Sequence, residues 1–431
     1  DQHAASSGPL AHRQSLGDHP GLGHHRCLVG DFGDIYRKMP SSYRMVLAWK
    51  METQEGLTAQ TRRHGLRAAG GAIMNKVVFL VASIMIVSVT WIFESDCSAS
   101  DNIPSRNIHA FYYPWYGNPD TDGSWYQWNH HIVARGGFSG GRYSPPDDIG
   151  ANFYPALGCY SSNSRTDLKV HMENLVTAGV GVITLSWWGR ETFTDRAVSR
   201  ILEVAAEHGI QVNFHIEPYP DRSALSVKSD IEYILRNYAA SEAFYRYTSS
   251  DPKQTKSKGL PMFYVYDSYL VEAHEWAKIL SPDGQHTIRD TPDDAVVIGL
   301  YFKEGHDAFM EDGCFDGFYT YFATEGFTYG STPENWQEMA AWANSHNRLF
   351  IPSIGPGYDD TRIRPWNSQN QRDRRNGDYY DEMFRAAIAV EPEIISITSF
   401  NEWHEGTQIE PAVPKKIEDY TYLDYDPRAP D

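Results

Sequence analysis

Cysteine is scarce: the 431 residues contain four, Cys27, Cys97, Cys159 and Cys314. That is too few for a disulfide-built scaffold, and no two are spaced as metal ligands. A Cys159–Cys314 pair is open to an oxidising lumen, but two free buried thiols is the preferred reading. No Asn-x-Ser/Thr sequon occurs, so glycosylation of the chain itself says nothing about compartment. Positive charge is also short: 38 Lys and Arg against 56 Asp and Glu leave a net −18. With no basic stripe to meet a phosphate backbone, a nucleic-acid partner is excluded. No glycine-rich loop follows an early strand, which removes a dinucleotide cofactor. The string His404-Glu405-x-x-Gln408 lacks the second His of a zinc-binding helix. Neither a metal nor a cofactor is expected.

What the chain has in excess is aromatic surface, 13% of residues, with 27 Tyr and 12 Trp. Such a surplus suits stacking on the flat apolar faces of sugar rings, and equally an aromatic-rich core. The acidic field accommodates a neutral polar substrate or a cationic transition state. The length fits one large domain plus appendages. Residues 1–73 show no steady period and read as disordered or as a non-native extension. Residues 77–93 are 17 uncharged, mostly apolar positions, barely long enough to span a bilayer. Arg62, Arg63, Arg67 and Lys76 precede them, while Glu94 and Asp96 follow. The positive-inside rule then puts the N-terminus in the cytoplasm and the remainder outside or in a lumen, beyond a stem at 94–106. A cleaved signal peptide starting at Met74 is the alternative. The anchor is preferred because the apolar run exceeds the usual signal core of roughly 7–15 residues.

From residue 107 short apolar runs alternate with helical patterns. Strands are expected at Ile108–Tyr113, Val180–Trp187, Gln211–Ile216, Met262–Tyr266, Val296–Phe302, Gly317–Tyr321, Leu349–Ser353 and Ile394–Phe400. Amphipathic stretches between them include Asp167–Ala178, Asp195–His208, Val227–Tyr238, Leu270–Leu280, Pro333–Ser345 and Tyr379–Val390. Asp195 and Thr332 are the expected N-caps, and Gly209 a residue just past a helix end. Eight strands with helical crossovers make residues 107–431 a (β/α)₈ barrel of the TIM type, ahead of a doubly wound open sheet. No closing eighth helix shows after Glu410.

In such a barrel reacting groups sit just after the strands. Most of these strand ends carry aromatics and acids together, the composition of a carbohydrate pocket. The last is the densest: apolar Ile394-Ile395-Ser396-Ile397 runs into Asn401-Glu402-Trp403-His404-Glu405, then breaks at Gly406. Carboxyls at i and i+3 of a turn share a face. Glycoside cleavage ordinarily needs such a pair, and mutual repulsion raises the pKa of one into the range of an acid.

These strings resemble family 99 of the glycoside hydrolases, the glycoprotein endo-α-1,2-mannosidases, over roughly residues 107–428. The likeness is carried by His109-Ala110-Phe111-Tyr112-Tyr113-Pro114-Trp115-Tyr116-Gly117, His215-Ile216-Glu217-Pro218-Tyr219, Met262-Phe263-Tyr264-Val265-Tyr266-Asp267, Ile363-Arg364-Pro365-Trp366-Asn367 and Ser399-Phe400-Asn401-Glu402-Trp403-His404-Glu405-Gly406-Thr407-Gln408. The resemblance implies retaining endo-cleavage of internal α-1,2-mannosidic bonds in glucosylated high-mannose N-glycans, releasing glucosyl-mannose, without a metal. It implies that Glu402 deprotonates the sugar 2-hydroxyl to form a 1,2-anhydro sugar, and that Glu405 protonates the leaving oxygen, then activates water. Tyr113, Tyr116, His215, Glu217, Tyr219, Tyr264, Asp267, Tyr321, Arg364 and Asn401 are implied to hold hydroxyls or face the reacting ring. Trp188 is implied to lie near the terminal sugar of the released disaccharide. Trp187-Trp188-Gly189-Arg190 stands where vertebrate members carry Trp-Tyr-Pro-Pro, which bears on whether glucose or mannose is taken there. The Golgi members are type II membrane proteins, in keeping with the anchor. Two alternatives stand: an inactive sugar-binding barrel, and a barrel glycosidase whose carboxylate nucleophile, Glu217 or Asp267, lies about 5–5.5 Å from the proton donor.

Overall fold

The computed structural model describes residues 104–134, 137–249 and 259–425. The N-terminal extension expected at 1–73, the anchor at 77–93 and most of the stem at 94–106 lie outside these, while Ser105 and Arg106 of the expected stem already belong to the first strand. Eight parallel strands form one sheet: β1 Ser105–Tyr112, β2 Val180–Trp187, β3 Gln211–Ile216, β4 Leu260–Val265, β5 Val296–Leu300, β6 Gly317–Tyr319, β7 Leu349–Ile351 with Ser353–Ile354, and β8 Ile395–Ile397. β7 is interrupted at Pro352, which has no N–H to give to a ladder. Its first piece pairs with β6 and its second with β8, while β8 pairs with β1. The sheet therefore closes on itself as a barrel.

β2 shows why these runs become barrel strands. All eight of its residues are buried, as expected when a parallel strand is covered on both faces. Ile183, Leu185 and Trp187 pack outward with the helices, so alternation turns Val182, Thr184 and Ser186 into the barrel. Gly181 allows the close approach of β1, because a Cβ there would sit 2.4 Å from the Ser105 carbonyl oxygen. Seven helices return between strands: α1 Arg165–Thr177, α2 Phe193–Glu207, α3 Ala224–Tyr238, α4 Ala273–Leu280, α5 His306–Asp312, α6 Trp336–Ser345 and α7 Asp378–Ala389. Gly209 follows α2 in the left-handed region at φ +69°.

The cap of α2 differs from expectation. Thr192 is its N-cap, its hydroxyl accepting the Asp195 N–H. Asp195 itself is buried in the first turn, accepting from Trp187 Nε1, Tyr233 Oη, Tyr238 Oη and the Glu191 N–H. A carboxylate so fully employed ties α2 to α3 and β2. Thr332 precedes a 3₁₀ turn, Pro333–Asn335, and bonds back to the Thr328 carbonyl without capping.

Among the described residues after β8 there is no helix. In its place residues 411–425 lie across the β1 side as a strap, bonded to Ala156, Tyr154 and Asn152. Arg362 holds it, its guanidinium 3.8 Å from the centre of the Tyr420 ring. An antiparallel hairpin, His131–Ala134 with Gly137–Arg142, stands in the long connection after β1. Cys159 and Cys314 are free thiols, and burial pushes Cys159 up to about 12.

Candidate active site

The site is built on the turn that follows β8. The Ser399 N–H donates to the Thr407 carbonyl and its hydroxyl accepts the Glu402 N–H at 2.7 Å. Asn401, completely buried, grips the Tyr113 backbone from both ends: Oδ1 accepts its N–H at 2.7 Å and Nδ2 donates to its carbonyl at 3.1 Å. Trp403 drives its indole inward, Nε1 donating to Glu410 at 2.9 Å, while its own N–H goes to the Tyr116 hydroxyl. Gly406 closes the turn at φ +64°, where a Cβ would meet the Asp359 backbone at 2.8 Å. A side chain is excluded there on both counts.

This turn points two carboxyls at the barrel mouth. Glu402 is only 3% exposed, and its Oε1 accepts the His404 N–H at 3.0 Å. Burial first, then the charge of Glu405, push it well above the ordinary glutamate value. Glu405 is also raised by burial, but Arg364 opposes the shift, with Nη1 3.0 Å from Oε1. Arg364 in turn is shared with Asp360, which also accepts from Tyr358 Oη and Asn367 Nδ2. His404 keeps Nδ1–H on the Gly150 carbonyl, and burial holds it far below its usual pKa. It is neutral, and so is its neighbour His130, whose ring lies tilted against it at 4.7 Å and which burial lowers to about 4. Among the described residues no three His, Cys, Asp or Glu side chains are grouped to hold a metal ion.

Opposite the acids, Tyr113 and Tyr321 share a hydroxyl–hydroxyl contact. Burial raises both phenols, helped by the charges of Glu217 and Glu405. Tyr321 also stacks on His215 at 5.6 Å and Tyr113 is held by Asn401, so strand ends β1, β3, β6 and β8 converge. Glu217 accepts from Ser186 Oγ at 2.7 Å. His215 bonds Tyr319 through Nε2, and its Nδ1 lies 3.0 Å from Glu217 at an angle that makes no hydrogen bond. Trp188 stacks on Trp115 at 6.4 Å and donates to Ser186, forming an aromatic wall on the β1–β2 side. Asp267 sits at the β4 rim, its carboxyl taken by Tyr269.

Four expected contact residues are placed elsewhere. Tyr264 lies wholly buried one layer down, its hydroxyl 2.9 Å from His109 Nδ1. Tyr219 turns outward to Ser226 and Asp230 of α3. Tyr116 is stacked at 4.2 Å on Trp128 beneath the turn, and Asn401 is consumed by its backbone clamp. Near the acids lie instead Tyr266, Trp115 and Tyr358, with Asp360 wholly buried behind Arg364. Tyr266 was legible: side chains at 264 and 266 of a strand point the same way, and the later one is nearer the mouth. Arg222, which donates to the Ile216, Tyr266 and Asp267 carbonyls and so fixes the ends of β3 and β4, carried no signal in its own segment.

Comparison with known proteins places this geometry in a family. The chain is 47% identical over 339 residues to the glycoprotein endo-alpha-1,2-mannosidase of Xenopus laevis, covering 76% of this chain and 74% of that one. A human glycoprotein endo-alpha-1,2-mannosidase-like protein is 47% identical over 336 residues, 75% and 72% of the two chains. The solved GH99 endo-alpha-mannosidase of Bacteroides thetaiotaomicron superposes with a TM-score of 0.71 at 49% identity, covering 75% of this chain and 93% of that one. The model of glycosyl hydrolase family 99 matches residues 103–431, and the chain belongs to that family.

Proposed function

We propose that this glycoside hydrolase cuts internal α-1,2-mannosidic bonds of glucosylated high-mannose N-glycans and releases glucosyl-mannose. The observation that carries the reading is the pair Glu402 and Glu405, on one turn, both raised by burial, within an aromatic-walled barrel mouth. Its relatives are named for endo-acting mannosidase activity.

In the proposed reaction Glu402, as carboxylate, takes the proton of the sugar 2-hydroxyl. That oxygen closes on the anomeric carbon while the glycosidic C–O bond breaks and Glu405 protonates the departing oxygen. Glu405, now ionised, takes a proton from water, whose oxygen attacks the anomeric carbon. The C1–O2 bond opens, and O2 recovers its proton from Glu402. Two displacements at one carbon return the original configuration. Desolvation suits Glu402 to this task, since a carboxylate withdrawn from water is the stronger base. Arg364 beside Glu405 suits a group that must alternate between acid and carboxylate. A wall of Trp115 and Trp188 supports stacking of the terminal sugar. The anchor at 77–93, with a lumenal Golgi domain, is part of the same proposal, and resistance of the full chain to alkaline carbonate extraction tests it.

The deciding experiment incubates the barrel with a monoglucosylated high-mannose glycan. Release of a disaccharide is expected; glucose or mannose alone would overturn endo-action. Azide added to Glu402→Gln is expected to yield no inverted glycosyl azide, which a carboxylate nucleophile would produce.

A further inference from the structure

Arg374 holds an unusual position. Its Nη2 donates to two main-chain carbonyls of the acid-bearing turn, Gly406 at 2.8 Å and Gln408 at 2.7 Å. The guanidinium lies between two rings, 4.7 Å from the centre of Phe153 and 4.5 Å from that of Tyr425. The residue as a whole is half-buried, but its Nε is enclosed without a partner and burial lowers its pKa. This is a charge partly withdrawn from water. Three other enclosed arginines meet carboxylates: Arg289 has Asp294 and Asp316, Arg362 has Asp148, and Arg364 has Asp360 and Glu405, whereas Arg222, like Arg374, is spent on main-chain carbonyls at strand ends of the site. Among the described residues Arg374 forms no ion pair.

Removing a cation from water without a counter-ion is costly, and a well-packed apolar residue of the same volume is often no worse for stability. Stability alone therefore does not account for an arginine here. What the guanidinium does supply is a rigid donor that reaches two carbonyls two residues apart. Those carbonyls belong to the segment just after Glu405. The same connection, between β7 and α7, also holds Glu405 at two other points: the Asp359 N–H donates to its carbonyl at 2.8 Å, and Arg364 meets its carboxyl. Tyr425 completes the seat from the strap, accepting from Gln408 Nε2 at 2.8 Å and donating to the Glu410 carbonyl at 2.9 Å.

We propose that Arg374 is a positioning residue for the reaction: it clamps the Gly406 and Gln408 carbonyls and so fixes the turn that aims Glu402 and Glu405, with Tyr425 holding it in place. The inference rests on the reading of those two glutamates as the acid pair. Arg374 touches neither carboxyl, so its loss acts on the chemical step through geometry. A displacement near 1 Å can cost roughly 100-fold in rate.

The test is Arg374→Met, which keeps the stem and the packing between Phe153 and Tyr425. Expected are a kcat lower by about 10–100-fold, a KM within about two-fold, an almost unchanged melting temperature, and faster amide exchange confined to residues 402–408. Arg374→Lys keeps the charge without the planar donor held between the two rings and recovers little of kcat; should the methionine variant not fold, this one carries the test. An unchanged kcat, full recovery by lysine, or a loss of activity that tracks loss of folded protein with normal exchange at the turn would each overturn the proposal. The exchange measurement needs no substrate. If the wild-type barrel releases no disaccharide, the functional reading fails while the clamp is still judged by exchange.

Discussion

At the scale of single residues the candidate site sets two carboxyls on one turn, Glu402 buried and Glu405 partly exposed, and gives only Glu405 a cation, Arg364. Removing a proton donor typically costs 10²–10⁴-fold, so Glu405→Gln is expected to lose about that much kcat while calorimetry still records oligosaccharide binding. Full activity in that variant would end its assignment as the acid. Asp360 gives a finer test. Its charge raises Glu405 and competes for Arg364. Asp360→Asn leaves Arg364 to Glu405 alone, which lowers the Glu405 pKa. Glu405 is then ionised at lower pH, so the alkaline limb of kcat/KM moves to lower pH; a shift upward, or none, contradicts the arrangement. Sequence made the acids legible because strand, acid, aromatic and glycine fall within fifteen consecutive residues. It did not show that Tyr264 and Asn401 are engaged internally, with His109 and with the Tyr113 backbone, because a string common to a family does not say which of its side chains bond within the protein. Position along the strand, with 266 nearer the mouth than 264, would have separated Tyr264 from Tyr266, but the double clamp of Asn401 on Tyr113 joins residues 288 apart in sequence.

At the scale of elements the apolar periodicities were nearly sufficient. β2 and β3 begin and end where the sequence pattern puts them, since both are buried runs bounded by a turn. The hairpin at 131–142 and the short α5 were missed, because neither presents an apolar face long enough to establish a period. The role of Asp195 was misread for a related reason. Its position suits a cap, and only the fold reveals Trp187, Tyr233 and Tyr238 converging on it. Asp195→Ala strands those donors, and at about 1–3 kcal/mol for a buried unsatisfied group is expected to cost several kcal/mol in a denaturant titration. The folded fraction keeps its KM, since none of these contacts reaches the barrel mouth; a loss below about 1 kcal/mol would show that the cluster is not holding α2. Thr192→Ala, which removes the cap together with the hydroxyl's bond to the Gly189 carbonyl, is expected to cost about 1–2 kcal/mol.

At the scale of the whole molecule the site sets the stability of the fold against pH. Glu402 is forced to keep its proton far longer in the folded chain than in the unfolded one, because burial and Glu405 disfavour its charge. Between the ordinary glutamate range, about pH 4.5, and its raised folded value, the folded state binds the extra proton, so stability falls as pH rises through that window. Below the window both states are protonated and the penalty is absent. Each tenfold difference in proton affinity between the folded and unfolded chain is worth about 1.4 kcal/mol, a large share of the roughly 5–15 kcal/mol that holds a typical domain. Glu402→Gln has the same shape and no charge to desolvate. It is therefore expected to melt a few degrees above wild type at pH 7, with the difference shrinking towards zero near pH 4. It should also be inactive, a trade in which the wild type gives up stability for a base kept out of water. Melting curves of both proteins from pH 4 to 8 measure this directly. A difference that stays constant with pH, or a variant less stable at neutral pH, would mean that Glu402 is comfortably charged in its pocket, and its strength as a base would have to come from somewhere other than burial.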